Sequence, residues 1–493
     1  MLTGPASDRD FLAALRRREF ARLDDDGIAY LDYTGSALYG ESQLDAYTRL
    51  LRGNCFGNPH SEHSPSRRSS ETIASARRAV LSFLGVDETT HTVCFTANTS
   101  AAVKLVAESY PFSRFATCLL TADNHNSING LREYARRAGA RVLHLPLGHE
   151  LRLLEPERRL AGLDGPGLFA FPAQSNFSGV RHPLELAALA KGRGFDVLVD
   201  TAAFAPTHRI DLRAWPAVDF VVFSFYKLFG LPTGLGALVA RREALGRLVR
   251  PWFAGGTVLF ASVDPLGYRL RQGPESFEDG TPDFLGIAAL EPGFALLDEV
   301  GMPRLKRHLE DLAGELLAGL AALRHANGDP AVVVYGPAGL DGRGGTVAFN
   351  VLDAAGGVVP YWVVEERARR AGIAVRGGCF CNPGAAQAAL RLDGGRSARC
   401  WRKLGDDFAP ERFASCLGEP VGAVRVSFGL ANDARDLRRA LELVAGVAAE
   451  NAAAAQTYGA ARSAATNEPA SSGVTTRRSS PASISTALRR SLA

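Results

Sequence analysis

The residues best suited to chemistry stand at the ends of apolar runs. Asp219 to Ala237 reads DFVVFSFYKLFGLPTGLGA. Phe220 to Phe223 is dense in β-formers and reads as a buried strand of a parallel sheet. The run closes on Ser224, Phe225, Tyr226 and Lys227, followed by glycines at 230, 234 and 236. An amine at the mouth of a buried strand is costly if it is both charged and dry. A solvated strand-end lysine is the bland reading, and a second stretch weakens it. Phe195 to Thr201, FDVLVDT, is another apolar run that ends on a polar group, Asp200. In open α/β sheets, groups at the carboxyl ends of strands meet in one ligand crevice. A Schiff-base amine beside an anion that can hold a ring nitrogen suits pyridoxal 5'-phosphate (PLP).

Other stretches carry candidate groups. Gly377 to Gly384, GGCFCNPG, places Cys379 and Cys381 in a glycine-flanked loop. Three readings stand. Zinc commonly takes four ligands in paired groups, yet Cys400 and Cys416 lie well beyond and do not form a second pair. Inert buried thiols are the second reading. A mobile nucleophile, which needs a thiolate on a flexible loop, is the third. Ala423 to Gly429, AVRVSFG, alternates strictly and sets Arg425 and Ser427 opposite Val424, Val426 and Phe428. An arginine there can capture a carboxylate bidentately or simply face water. Asn98, Thr99 and Ser100 open an expected helix after the strand Thr92 to Thr96. Its free N–H groups could hold a phosphate, or Asn98 or Thr99 could merely cap it. His60 and His63, in GNCFGNPHSEHSP, sit in a glycine–proline loop with no partnering ligand pattern, so a surface or active-site loop is expected rather than a metal site.

The surrounding elements alternate. Short strands are expected at Ile28 to Tyr33, Thr117 to Thr121, Arg141 to Leu145 and Leu168 to Phe171, with helices at residues 8–23, Ser70 to Leu84 and Pro183 to Gly192. Such alternation argues a doubly wound, largely parallel sheet. Leu305 to Leu323 reads as a long amphipathic helix opening a smaller lobe. Strands at Gly345 to Val351 and Ile373 to Arg376 and helices at Tyr361 to Ala371 and Leu437 to Glu450 follow. The expected division is an N-terminal helical segment (1–27), a large domain (28–300), a smaller α+β domain carrying the cysteine loop (301–450) and an Ala/Ser/Arg-rich tail (451–493), disordered from about 462.

Composition narrows the function classes. The chain has 493 residues, 46% of them hydrophobic, and a formal charge of +4. No basic field argues for nucleic acid and no tract for a membrane surface. No apolar run reaches the roughly 18 residues of a spanning helix, and the first residues lack a signal-peptide core. Seven scattered cysteines do not read as a disulfide framework. A cytoplasmic, reducing setting is the expectation.

VDTAAFAPTH, SFYKLFG-PTGLGAL and RGGCFCNPGA together resemble the class V (cysteine desulfurase-like) PLP enzymes, most of all the desulfurase domain of molybdenum cofactor sulfurases. The likeness runs over roughly residues 28 to 445. It implies a fold type I PLP-dependent transferase with Lys227 as the Schiff-base lysine and Asp200 on the pyridine nitrogen. It places His125 on the ring face, where it could also move protons, and Asn176 near the PLP hydroxyl and the substrate carboxylate. Asn98, Thr99, Ala202, Ser224 and Tyr226 complete the cofactor set. Thr281, in FEDGTPDF, would reach the phosphate from a neighbouring subunit, which implies a homodimer. Cys381 would carry the persulfide, with Cys379 assisting, and Arg425, helped by Arg376, would hold the carboxylate of L-cysteine. The implied activity converts L-cysteine to L-alanine and passes the sulfur to an acceptor, molybdenum cofactor being one candidate.

Departures qualify the likeness. Asn98 stands where the family has glycine, and asparagine tolerates a left-handed backbone there. Ala203 replaces a glutamine of many desulfurases, as in sulfurase-like members. Ala386 replaces a further cysteine of related sulfurases. The second domain of eukaryotic molybdenum cofactor sulfurases is not evident after residue 451. Another class V enzyme acting on a small amino acid would share Asp200 and Lys227 but need no thiol. A non-enzymatic sulfur carrier would bind no cofactor.

Overall fold

The computed structural model describes residues 6–465. The chain begins with two helices, Ala6–Glu19 and Ala21–Asp25, where the sequence predicts one. The break falls at Phe20, whose backbone is non-helical and whose ring is fully buried. Strand β1 is only Ala29–Tyr30. The helix Ser64–Phe83 starts earlier than the apolar pattern indicates, because Pro65 sits in its first turn and the His63 ring accepts the Ser66 N–H. His63 is thus a helix cap.

The centre is a seven-stranded sheet of β2 (His91–Thr96), β3 (Thr117–Thr121), β4 (Arg141–Leu145), β5 (Gly167–Pro172), β6 (Phe195–Asp200), β7 (Phe220–Ser224) and β8 (Gly236–Arg241). The spatial order is β2-β8-β7-β6-β5-β3-β4. The pairs β4·β3, β3·β5, β5·β6 and β6·β7 are parallel, and β8 alone runs against its neighbours. The fold is therefore α/β with a mostly parallel central sheet. Strands β3, β5 and β7 are buried at every residue, as continuous apolar strands in a sheet covered on both faces must be. The two faces feed separate apolar cores.

Beyond β8 an exposed hairpin, β9 (Val258–Val263) with β10 (Leu266–Leu270), lies between two glycine-bearing stretches that the sequence reads only as loops. The long helix Met302–Ala322 buries Leu305, Leu309, Leu312, Leu316 and Leu320. A second, antiparallel sheet follows, of β11 (Val332–Tyr335), β12 (Thr346–Val351), β14 (Arg376–Gly378) and β15 (Ala423–Ser427), in the order β11-β12-β15-β14. The single strand expected over Ile373 to Arg376 is two: β13 (Ile373–Ala374) pairs in parallel with β1, and β14 pairs with β15. Asp32 bridges to Ser427. The first strand of the chain is thereby tied to C-terminal residues rather than to the large sheet.

Two helices, Gly394–Leu404 and Pro410–Leu417, are joined by a disulfide between Cys400 and Cys416. This corrects the reading of those cysteines as unpaired; a separation of 16 residues across a turn carried no signal. The last helix, Ala434–Ala465, runs through the first four positions of the segment expected to be disordered from 462. The rest of that segment lies outside the described residues.

Candidate active site

A cavity of about 400 Å³ opens at the carboxyl ends of the parallel strands. Each wall comes from a strand-end loop. Asn98, Thr99 and Ser100 follow β2, His125 and Ser127 follow β3, and Gln174 and Asn176 follow β5. Asp200, Ala202 and Ala203 close β6, and Ser224, Tyr226 and Lys227 close β7. Because β8 is antiparallel, its start brings Thr233 and Gly234 to the same rim. Gly236 must lack a side chain: a Cβ there would stand 2.6 Å from the Asn98 carbonyl carbon and 2.8 Å from Phe223 O.

Lys227 sits in the short helix Phe225–Phe229 and lines the cavity opposite buried Asp200. Burial pushes the Lys227 amine below its usual range. Asp200 pulls it back, while Arg425 and Arg376 push it further down. An amine so placed is more often the free base a carbonyl requires. Burial raises Asp200, against the N–H of Ala202 at 2.9 Å and the pull of Lys227. A cationic ring nitrogen beside it would favour its ionised form.

His125 is held as an uncharged ring. Burial first, then Lys227 and Arg425, lower it from 6.5 to about 4. Its Nδ1 accepts the Ser127 N–H at 3.1 Å, so the neutral ring carries its proton on Nε2.

At the other end the helix Thr99–Ser109 points its N-terminus into the cavity. The Asn98 side chain accepts the Ala101 N–H at 3.0 Å, and Ser224 Oγ lies 2.8 Å from Thr99 N and 2.7 Å from Thr99 Oγ1. Asn98 is both a cap and part of the cavity wall. Its φ of −176° is extended backbone, so the expected need for a left-handed residue there is overturned.

The carboxylate-binding candidates form a second group. Arg376 and Arg425 are direct cross-strand partners in β14 and β15. Like charges so placed repel, and Asp32 lies between them. It accepts from Arg376 Nη2 and from Arg425 Nη2, each at 2.7 Å. Arg425 is buried, donates to Asn176 O at 2.9 Å and keeps its Nε without a protein partner. The surface alternative for Arg425 is excluded by both faces of β15 being buried.

Cys381 does not line the cavity. It is exposed on the loop between β14 and the helix Pro383–Ala389. That loop is nonetheless fastened to the cavity wall. Asn126 N–H donates to Cys381 O, and Asn176 Nδ2 to Phe380 O, both at 2.7 Å. Cys379 is exposed on the same loop. Thr281 is exposed and does not line this chain's cavity. It follows Gly280, which borders a separate depression with Arg77, Gly256 and Leu259. Among the described residues no group of three or more His, Cys, Asp or Glu side chains could hold a metal ion.

The sequence reading passed over Gln174 and Asp32. Gln174 donates to Ala203 O at 3.0 Å and keeps a buried Oε1 without a protein partner. Asp32 follows the apolar segment from Ile28, but nothing local marks which charges it will meet.

The donor set fits PLP. It offers a lysine with a lowered amine, a buried carboxylate, an uncharged imidazole, a helix N-terminus flanked by hydroxyls, and an unpartnered buried acceptor. The chain belongs to the aminotransferase class-V family, whose model matches residues 29–440. It is 36% identical over 480 residues to molybdenum cofactor sulfurase of Arabidopsis thaliana, covering 87% of this chain and 57% of that protein. The corresponding protein of Homo sapiens is 36% identical over 471 residues, covering 90% and 51%. The chain thus spans about half the length of the curated relatives it matches. Among solved structures, a cysteine desulfurase from Thermococcus onnurineus superposes with a TM-score of 0.73 at 26% identity, covering 89% of this chain and 98% of that one. The cysteine desulfurase CsdA of Escherichia coli, at 22% identity, a TM-score of 0.70 and coverage of 88% and 97%, shares the fold. No helix among the described residues is long and apolar enough to cross a membrane.

Proposed function

We propose that this chain is a PLP-dependent cysteine desulfurase that takes sulfur from L-cysteine onto Cys381 and hands it to an acceptor. The observation that carries the reading is the convergence of Lys227 and Asp200 on one cavity whose wall also bonds the cysteine loop. When bound, PLP supplies an electron sink for bond breaking at the substrate's α carbon. Lys227 would supply the amine that tethers it, and Asp200 would pair with its ring nitrogen. The Asn98–Ser100 helix start and Ser224 would take the phosphate, with Ala202 and Tyr226 completing the lining. His125, neutral at physiological pH, would cover the ring face and offers a proton-bearing Nε2. Arg425, with Arg376, would orient the substrate carboxylate, and its unpartnered Nε is one donor for it, whereas the Asn176 amide is taken up by Phe380 O and Asn382 and holds the cysteine loop instead. The Cys381 thiolate attacks the substrate sulfur. The S–S bond forms as the carbon–sulfur bond breaks, and the electron pair left on the carbon skeleton takes a proton to give alanine.

A homodimer is part of this reading. Hairpin residues Leu259, Phe260, Val263, Leu266 and Tyr268 are exposed, and Leu259 shares a depression with Gly280, next to Thr281. A second copy seated there would cover the apolar hairpin and bring a Thr281 toward a neighbouring phosphate site. Five free cysteines support a reducing, cytoplasmic setting, against which the single Cys400–Cys416 disulfide stands. Molybdenum cofactor is the acceptor that the sulfurase likeness favours. The test is PLP-loaded protein with L-cysteine and a thiol reductant. Equal amounts of sulfide and alanine are expected, and cofactor turnover without sulfide would reassign the chain to another class V reaction.

A further inference from the structure

Behind the cavity wall lies a buried polar cluster that this chemistry does not use. Asp123, just past β3, is fully buried. Its Oδ1 accepts from Ser175 Oγ at 2.8 Å and from Asn382 Nδ2 at 2.7 Å. Its Oδ2 lies 2.9 Å from His182 Nε2. Facing a carboxylate, that nitrogen is a donor. Ser175 and Asn382 are also fully buried, and His182 is nearly so. Asp123, Ser175 and His182 belong to loops of the large sheet. Asn382 belongs to the cysteine loop and directly follows Cys381. It also donates to Asn176 Oδ1 at 3.0 Å, and its own Oδ1 caps the helix Pro383–Ala389 through Ala385 N at 3.2 Å.

This cluster completes the grip on three successive residues. Phe380 and Cys381 are held by their carbonyls and Asn382 by its side chain. The grip is needed because Phe380 and Cys381 both have left-handed backbones, with φ of 53° and 56°. Consecutive non-glycine residues there are strained and persist only where the surroundings impose them. The loop glycines precede and follow the pair and do not relieve it.

We propose that Asp123, with His182 and Ser175 behind it, and Asn382 form a latch that sets the position of Cys381 against the cavity. They are positioning residues for the sulfur-transfer step and not for chemistry at the α carbon. The inference rests on the desulfurase reading. A sulfur nucleophile misplaced by about 1 Å can lose about 10²-fold in rate, whereas Lys227 and Asp200 sit on strand ends that do not depend on this loop.

The test uses full-length Asp123→Asn and Asn382→Ala variants. Asp123→Asn turns an acceptor toward donors. Asn382→Ala removes only the loop's half, and it reads the proposal even if the first variant fails to fold. Two measurements are made on PLP-loaded protein: single-turnover persulfide formation on Cys381, and exchange of the α-hydrogen of L-alanine with deuterated solvent, which needs no thiol. Persulfide formation should slow about 10- to 100-fold, while α-hydrogen exchange stays within about twofold. On cofactor-free protein, amide hydrogen exchange over residues 378–384 should quicken at least about tenfold, with β3 and β5 unchanged. Wild-type persulfide rates in Asn382→Ala, equal losses in both reactions, or unchanged protection of the loop would each overturn the latch. If the unsubstituted protein forms no persulfide, the desulfurase reading fails instead, and the amide-exchange result still decides whether the latch exists.

Discussion

The lysine wall and the cysteine loop are built on opposite principles. Lys227 and Asp200 stand at the ends of β7 and β6, neighbouring parallel strands buried almost throughout. Their meeting is a consequence of the sheet, and their chemistry is tuned by burial and by each other. The cysteine loop exposes Cys379 and Cys381, is left-handed at Cys381, and is joined to that wall by side chains more than 200 residues away in sequence, such as Asn176 to Phe380 and Asp123 to Asn382. Secondary structure fixes Lys227 and Asp200, the groups proposed to hold PLP, whereas a set of long-range hydrogen bonds fixes the loop that bears Cys381, the proposed sulfur carrier.

Substitutions can break that comparison on either side. The largest expected effect is on the rigid side. Lys227→Ala should lower sulfide release at least about 10³-fold and abolish the visible absorbance of the loaded protein, with the melting temperature little changed. Retained absorbance would show that the tether lies elsewhere. Next is Arg425, which belongs to the small sheet yet reaches the wall. Arg425→Gln removes charge-assisted hydrogen bonds of about 1.5–3 kcal/mol, and should raise KM for L-cysteine about ten- to a hundredfold with a smaller change in kcat. An unchanged KM would leave Arg425 as the structural partner of Asp32.

A third test concerns pH. His125 titrates near 4 in the folded chain against an ordinary 6.5, so the unfolded chain takes the proton first. The ring's contribution to stability is fully present above 6.5 and is lost as pH falls from 6.5 toward 4. Chemical denaturation across that window should show a smaller loss for His125→Gln than for the parent chain. An NMR midpoint near 6.5 would show that burial does not depress the His125 ring. The smallest effect is at the helix start. Asn98→Ala should cost about 1 kcal/mol of stability through the lost cap, with a weakened affinity for PLP read by equilibrium dialysis.

What was legible in the sequence divides along the same line. Strand ends that carry single polar groups marked Asp200 and Lys227 as candidates, and strict alternation placed Arg425 on one face of a strand, because these signals are local; their roles came from the family resemblance. The helix start at Ser64 was missed because its first turns carry no apolar stripe; only Pro65 marked it. The Asn98 backbone was misjudged because a glycine in relatives suggested a left-handed turn, whereas the closeness of Gly236 accounts for the tight space. Asp32, the Asp123 cluster and the Cys400–Cys416 bridge depend on which distant elements meet, and no spacing encodes that. Cys381 itself was picked out by family resemblance alone, since a C-x-C in a glycine loop has several uses.

The most direct measurement loads the protein with PLP, adds one equivalent of L-cysteine without reductant, and reads alanine alongside the mass of the Cys381 peptide. The account predicts stoichiometric alanine and the added mass of one sulfur atom on Cys381. Alanine formation with that peptide unmodified, or sulfur borne by Cys379 or Cys55 instead, would contradict it.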